Sequence, residues 1–209
     1  LEYAPGQPLR ELELSEQLSM SRTPIRAAIE RREHVAVFGD YDVDGTTAVA
    51  LVYKYLSNFY SNIDYFIPTR YEEGYGISSD IIDDFAGQGV KLVIILDCGI
   101  KANEEIAHAR EHGIDFIICD HHVPDQELPE AVAILNPKMP GSTYPCPHLS
   151  GCGVGYKLMQ AFAISNGIQQ NELEGMLDLV AVSIAADIVP MVDENRIMAF
   201  YGLRRLNTK

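Results

Sequence analysis

Some of the carboxylates and imidazoles of this 209-residue chain stand in short segments that directly follow apolar runs. Asp40, Asp42 and Asp44 stand in Gly39-Asp-Tyr-Asp-Val-Asp-Gly45, Asp97 follows Leu92–Leu96, and Asp120-His121-His122 follows Phe116–Cys119. Carboxylates brought within a few ångströms repel one another, and one takes up a proton unless a cation intervenes. A divalent metal ion removes that conflict. Carboxylates with one or two imidazoles suit Mg2+ or Mn2+, the imidazoles leaning toward Mn2+. Two such ions, about 3.5–4 Å apart, activate water and stabilise the leaving oxygen in phosphoester cleavage. The chemistry expected of these residues is metal-assisted hydrolysis of a phosphoester.

Each segment has a plainer explanation when taken alone. Asp-x-Asp-x-Asp-Gly also opens calcium-binding EF-hand loops, but the helix-like run after it holds no glutamate to close one. Asp97 could cap the next helix, and His121-His122 could be a solvated pair. The four cysteines, Cys98, Cys119, Cys146 and Cys152, form no CxxC pair. They are expected to be reduced, structural thiols rather than zinc ligands.

The elements that must position these groups follow from hydrophobic periodicity. Strands are expected at Val35–Gly39, Ile63–Ile67, Leu92–Leu96, Phe116–Cys119 and Ala131–Leu135, with a loop at Asp40–Gly45. Helices are expected at Thr46–Phe59, at Ser78–Phe85 with Ser78 or Ser79 as its cap, and at Ala102–Glu111. After a proline-rich loop over residues 136–149, Gly155–Ser165, Glu172–Ala185 and Glu194–Leu206 read as helices. The pattern predicts an α/β fold, a mostly parallel sheet flanked by helices with a C-terminal helical cap. Ligands of open parallel sheets bind outside the carboxyl ends of the strands. Three strand ends therefore deliver acids and imidazoles to one rim.

In order and spacing, the Asp40–Gly45, Leu96-Asp-Cys-Gly99 and Asp120-His-His122 segments resemble the first three motifs of the DHH phosphoesterase family, and Ala185-Ala-Asp-Ile-Val-Pro190 resembles the fourth. Pro68–Gly76 and Ser150–Lys157 resemble segments of its RecJ branch, and the likeness runs from about Arg31 to the C-terminus. It implies Asp42, Asp44, Asp97, His121 and Asp187 as ligands of two Mn2+ or Mg2+ ions. Asp187 rests on the resemblance alone, because it lies in a helical region. Asp40, Asp120 and His122 are implied as the catalytic groups around them. Asp120 would orient an imidazole, and His122 would contact the scissile phosphate. Asp40 stands where relatives that cleave small substrates carry histidine, which favours the RecJ branch. Arg70 is expected near the substrate or in a structural loop. Gly151, Gly153 and Gly155 precede a helix, with N–H groups open either to a phosphate or to close packing. The implied function is exonucleolytic degradation of single-stranded DNA in repair and recombination. The alternatives are a phosphodiesterase of short oligonucleotides or cyclic dinucleotides, and a non-catalytic scaffold domain.

The net charge of −14 is unusual for a chain that grips phosphates. Either metal ions neutralise the acids at the site, or the gripping surface lies outside this chain. The second reading agrees with the resemblance, since RecJ-type relatives continue into a substrate clamp that this chain is expected to lack. No apolar run approaches the roughly 20 residues that cross a bilayer, and the first residues are too polar for a signal peptide. A soluble cytoplasmic protein that binds single-stranded nucleic acid and no membrane is expected. Residues 1–30 are read as a separate helical segment before a catalytic domain at 31–209. The segment holds helical patterns around Glu11–Leu18 and Pro24–Glu30, with Ser21 or Thr23 capping the second. It resembles part of a GntR-type helix-turn-helix and is too small to fold alone.

Overall fold

Strands that are apolar at nearly every position can be buried only in a sheet covered on both faces. The computed structural model, which describes residues 19–71 and 74–208, has that architecture. Its elements are helix α1 (Ser19–Arg31), strand β1 (His34–Gly39), α2 (Val43–Leu56), β2 (Ile63–Phe66), α3 (Ser79–Gly87), β3 (Val90–Leu96) and α4 (Asn103–Glu111). Strands β4 (Asp115–Cys119) and β5 (Ala133–Leu135) follow, then helices α5 (Gly151–Ser165), α6 (Asn171–Glu174), α7 (Leu177–Ala186) and α8 (Asp193–Leu206). The five strands pair in parallel in the order β2-β1-β3-β4-β5.

Alternate residues of each strand serve opposite faces. Val35, Val37, Ile94, Leu96 and Ile117 join a core with Leu51 of α2, Leu158 of α5 and Val180 of α7. Ala36, Phe38, Val93, Ile95 and Phe116 join a second core with Ile82 and Phe85 of α3 and Ile106 of α4. The chain leaves β1 outward to β2 and returns to β3 on the other side of β1. That reversal is the switch point at which such sheets open a crevice, and β1 and β3 are the strands that end in Asp40 and Asp97.

Several boundaries differ from the sequence reading, each for a local reason. Helix α2 begins at Val43 rather than Thr46, because Asp42 caps it by accepting from the Gly45 N–H at 2.8 Å. Asp44 and Gly45 therefore lie in its first turn and not in a loop. Helix α5 begins at Gly151, with Ser150 accepting from the Gly153 N–H at 3.1 Å. The three glycines expected to precede this helix are part of it. The helix expected over Glu172–Ala185 is two, α6 and α7, parted at Gly175 and Met176. Ser78 caps α3 as expected. The helix expected at Pro24–Glu30 runs over Ser19–Arg31, so Ser21 and Thr23 lie within it instead of capping it. The pattern at Glu11–Leu18 lies outside the described residues. Ile25 and Ala28 of α1 are buried in the same core as Val35 and Val37. Among the described residues no helix is long and apolar enough to cross a membrane.

The helical cap is closed by α8 lying against α7 at Gly202. A Cβ there would meet the Leu177 carbonyl oxygen at 2.1 Å and Ala181 Cβ at 2.6 Å. In an open helix Gly→Ala gains roughly 1 kcal/mol. Here Gly202→Ala is expected to cost about 1–3 kcal/mol through overpacking. The expected readout is a lower urea midpoint with an unchanged m-value, and a raised midpoint would refute the tight contact.

Candidate metal centre

The rim is organised around one imidazole nitrogen. His121 Nδ1 lies 2.9 Å from the Leu149 carbonyl oxygen, which can only accept, so Nδ1 carries the proton. In the neutral ring Nε2 then presents a lone pair. That atom is 3.1 Å from Asp97 Oδ1, 3.7 Å from Asp187 Oδ2 and 3.8 Å from Asp44 Oδ2. The Asp97 contact lacks hydrogen-bond alignment, so Asp97 Oδ1 and His121 Nε2 are both buried without a hydrogen-bond partner.

Each carboxylate is delivered by a different device. Asp97 ends β3 at φ +62°, a left-handed conformation uncommon outside glycine. Its N–H donates to the Cys119 carbonyl at 2.8 Å, extending the β3–β4 ladder by one residue. Helix α4 starts only at Asn103, with Ala102 at the cap position, so Asp97 is not its cap. Asp44 sits in the first turn of α2 and accepts from the N–H groups of Gly151 and Cys152 and from Ser183 Oγ, each at 2.7 Å. The open N-terminus of α5 supplies the first two, and its dipole favours the negative charge. Asp187 is the C-cap of α7, one turn after Ser183, and its side chain is one-third exposed at 33%.

Asp120 is saturated with donors. Its Oδ1 accepts from the N–H groups of His121 and His122 and from His122 Nδ1, while Oδ2 accepts from the Ile100 N–H at 3.0 Å. The 2.7 Å bond to Nδ1 orients the half-exposed His122 ring. Asn136, just after β5, donates to the His122 carbonyl at 2.8 Å. Asp40 is buried with Oδ1 unpartnered. Arg70 is exposed, its guanidinium 5.6 Å from the centroid of the Tyr41 ring, between the first two motif aspartates. A cleft of about 360 Å³ opens beside the rim, lined in part by Tyr75, Gly76, Cys98, Ile100, Asp120 and His122.

Burial dominates the electrostatics. It pushes the Asp97 carboxyl up to about 7, reinforced by the charges of Asp44 and Asp42 and opposed by His121. Burial works to lower His121, but Asp97, Asp44 and Asp187 outweigh it and raise the imidazole to about 9. Burial also raises Asp40 and Asp44. Asp120 goes the other way, since burial is outweighed by the His122 ring and the surrounding N–H donors. The bond to Asp120 raises His122 in turn.

These features fit a divalent cation. Asp97 Oδ1 and His121 Nε2 are buried without a hydrogen-bond partner, and among the described residues the ionic partner of Asp44, Asp97 and Asp187 is His121 itself. Four of the five expected ligands, Asp44, Asp97, His121 and Asp187, come together. Asp42 does not join them at ligand distance. It is exposed, its Oδ1 caps α2, and it acts on Asp40 and Asp97 through its charge. Gly151 and Gly153 are not open to a phosphate, because their N–H groups are committed to Asp44 and Ser150. Close packing explains Gly151, where a Cβ would lie 2.3 Å from Asp97 Oδ1. The cysteines are buried free thiols outside the candidate ligand clusters of the described residues.

Ser183, Asn136 and the Leu149 carbonyl were not anticipated from the sequence. Ser183 has a signal, lying four residues before Asp187 on one helical face. Asn136 has another, as a polar residue just after a strand. A backbone carbonyl has none.

Comparison with known proteins agrees with this geometry. The model of the DHH family, N-terminal domain, matches residues 34–184. A single-stranded-DNA-specific exonuclease RecJ of Bacillus subtilis is 42% identical over 182 residues, covering 87% of this chain and 22% of that protein. A crystal structure of exonuclease RecJ bound to manganese superposes with a TM-score of 0.80 at 29% identity, covering 95% of this chain and 48% of that one. RecJ of Thermus thermophilus in complex with Mn2+ gives 0.77 at 26% identity, covering 97% and 28%. The chain thus spans less than half the length of these relatives. With the family model matching residues 34–184, well over half of its length, the chain belongs to the DHH family.

Proposed function

We propose that this chain is the catalytic domain of a metal-dependent phosphodiesterase that degrades single-stranded DNA exonucleolytically in repair and recombination. The observation that carries the proposal is the convergence of Asp44, Asp97 and Asp187 on His121 Nε2, which, like Asp97 Oδ1, is buried without a hydrogen-bond partner. The substrate class is taken from the RecJ relatives. The donor set, rich in carboxylate with one imidazole, suits Mn2+ or Mg2+. Such an ion, held by these four residues, supplies Lewis acidity that neutralises phosphoryl charge and acidifies water.

The side chains themselves have distinct tasks. Asp44, clamped by three donors, fixes the distance between α2 and α5 at the rim. Asp120 keeps the proton on His122 Nδ1 and stabilises the imidazolium, so Nε2–H donates to a phosphate oxygen in the adjacent cleft. Asp40, buried and raised in pKa, accepts a hydrogen bond from water at the rim. Arg70, over the Tyr41 ring, serves as a cation for the next phosphate.

Three measurements test this reading. At free Mn2+ of 100 times Kd, the stability of the chain should rise by about 2.7 kcal/mol, be reversed by EDTA, and stay flat in Asp97→Ala. With 5′-labelled single-stranded DNA, mononucleotide release should require Mn2+ or Mg2+ and fall about 10–100-fold in Asp120→Asn. A chain that binds Mn2+ but cleaves no substrate in a length series would be a scaffold, and one that cleaves only dinucleotides would belong to the small-substrate class. NMR titration of metal-free protein should place His122 above its usual 6.5 and closer to it in Asp120→Asn. The stabilisation from the His122 proton is then full below the unfolded value and is lost as pH rises through the folded one. A His122 value below 6.5 would remove the Asp120 partnership.

A further inference from the structure

A second cluster of metal-ligating groups lies away from the rim and takes no part in the chemistry above. Helix α4 connects two parallel strands and so runs antiparallel to them, which carries its C-terminal end to the sheet edge opposite the rim. There His108 and His112 stand one helical turn apart and face Asp83 of α3. His108 Nε2 is 2.8 Å from Asp83 Oδ1, and His112 Nε2 is 3.7 Å from the same oxygen. The two rings are 4.6 Å apart between centroids. One ligand atom from each residue falls within 4.8 Å of the others.

The orientation of His112 is set in advance. Its Nδ1 lies 3.0 Å from the His108 carbonyl oxygen, an acceptor, so Nδ1 carries the proton and Nε2 keeps its lone pair. A hydrogen bond on the far nitrogen is how ligating histidines are commonly aimed. Tetrahedral bonds of about 2.0–2.2 Å separate ligand atoms by roughly 3.3–3.5 Å. The observed 2.8 and 3.7 Å bracket that spacing, so small rotamer changes suffice once an ion displaces the proton that His108 Nε2 donates to Asp83. The side chains of Asp83, His108 and His112 are 58%, 31% and 37% exposed, which leaves an entry path and an open fourth position for water.

The donor chemistry separates the two clusters. Two imidazoles and one carboxylate select Zn2+, Ni2+ or Cu2+ over Mg2+ and Mn2+. At the rim the proportions are reversed, with carboxylates outnumbering the imidazole. We propose that Asp83, His108 and His112 form a second metal site, selective for zinc-like ions, that clips α3 to α4 at the edge of the sheet opposite the rim. Gly113 follows His112 directly at φ +67° and turns the chain toward β4, the strand that ends at Asp120. The clip therefore fastens the start of a strand whose far end carries the catalytic histidines.

The test is calorimetric titration of tag-free protein with Zn2+, beside a His108→Ala/His112→Ala variant. The substituted side chains are partly exposed, so the variant should keep its fold and its Mn2+-dependent rim, which circular dichroism and Mn2+ titration check. The wild type should bind one more equivalent of Zn2+ than the variant. In imidazole 15N spectra with the rim saturated by Mg2+, the Nε2 resonances of both His108 and His112 should shift during Zn2+ titration, while Mg2+ alone leaves them in place. Equal stoichiometry in the two proteins, or unmoved Nε2 resonances, would reduce the trio to a hydrogen-bonded surface pair and overturn the site.

Discussion

The constraint on which the molecule depends is the burial of like charge around His121 Nε2. Asp40, Asp44 and Asp97 are all almost fully buried. Their carboxyls are raised in pKa chiefly by burial. A folded chain tolerates such a cluster only if something positive enters it. In the metal-free protein that role falls to His121, whose proton is held to about 9 by the surrounding acids. A divalent ion held by Asp44, Asp97, His121 and Asp187 would supply that compensation in place of the proton. The site is therefore paired with its occupant energetically before it does any chemistry.

The scaffold can be read as what is needed to hold that charge. The switch point between β1 and β3 brings two strand ends to one crevice, and β4 adds the third. The N-terminus of α5 points two backbone donors at Asp44 across 107 and 108 residues of sequence. That approach is possible only because Gly151 has no Cβ to strike Asp97. Unusual backbone flanks the centre on both sides, with Asp97 at φ +62° and Ile188, next to Asp187, at φ +54°. Strain of this kind persists where surrounding structure over-determines it, and at Asp97 the hydrogen bond to the Cys119 carbonyl does so.

This division explains what the sequence disclosed. Asp97 and Asp120-His121-His122 were legible because each follows an uninterrupted apolar strand, and strand ends of a parallel sheet share a rim. Asp187 was not legible that way. It caps a helix, and only the resemblance of its segment pointed to it. The starts of α2 and α5 were placed too late because Asp42 and Ser150, the capping residues, sit among glycines that read as loop. The glycines of α5 suggested a phosphate cradle for the same reason. The amides of Gly151 and Gly153 are spent on Asp44 and Ser150, and no pattern within the segment reveals Asp44, which is so distant in sequence. Asp42 carries a structural task that its spacing does not disclose, capping α2 through the Gly45 N–H.

The adjacent histidines show how little is needed to divide labour at such a rim. His121 and His122 differ in what their Nδ1 atoms face. A neutral carbonyl at His121 fixes the proton on Nδ1 without stabilising a second one, so Nε2 is free to become a ligand once a cation displaces its proton. A carboxylate at His122 favours the doubly protonated ring, so Nε2 stays a donor. Asp120 can play this part because its own charge is secured by backbone N–H groups from His121, His122 and Ile100, independent of any metal. Two identical side chains, one residue apart, are thereby set to opposite chemical roles. One is suited to the metal, and the other to the phosphate that the metal attracts.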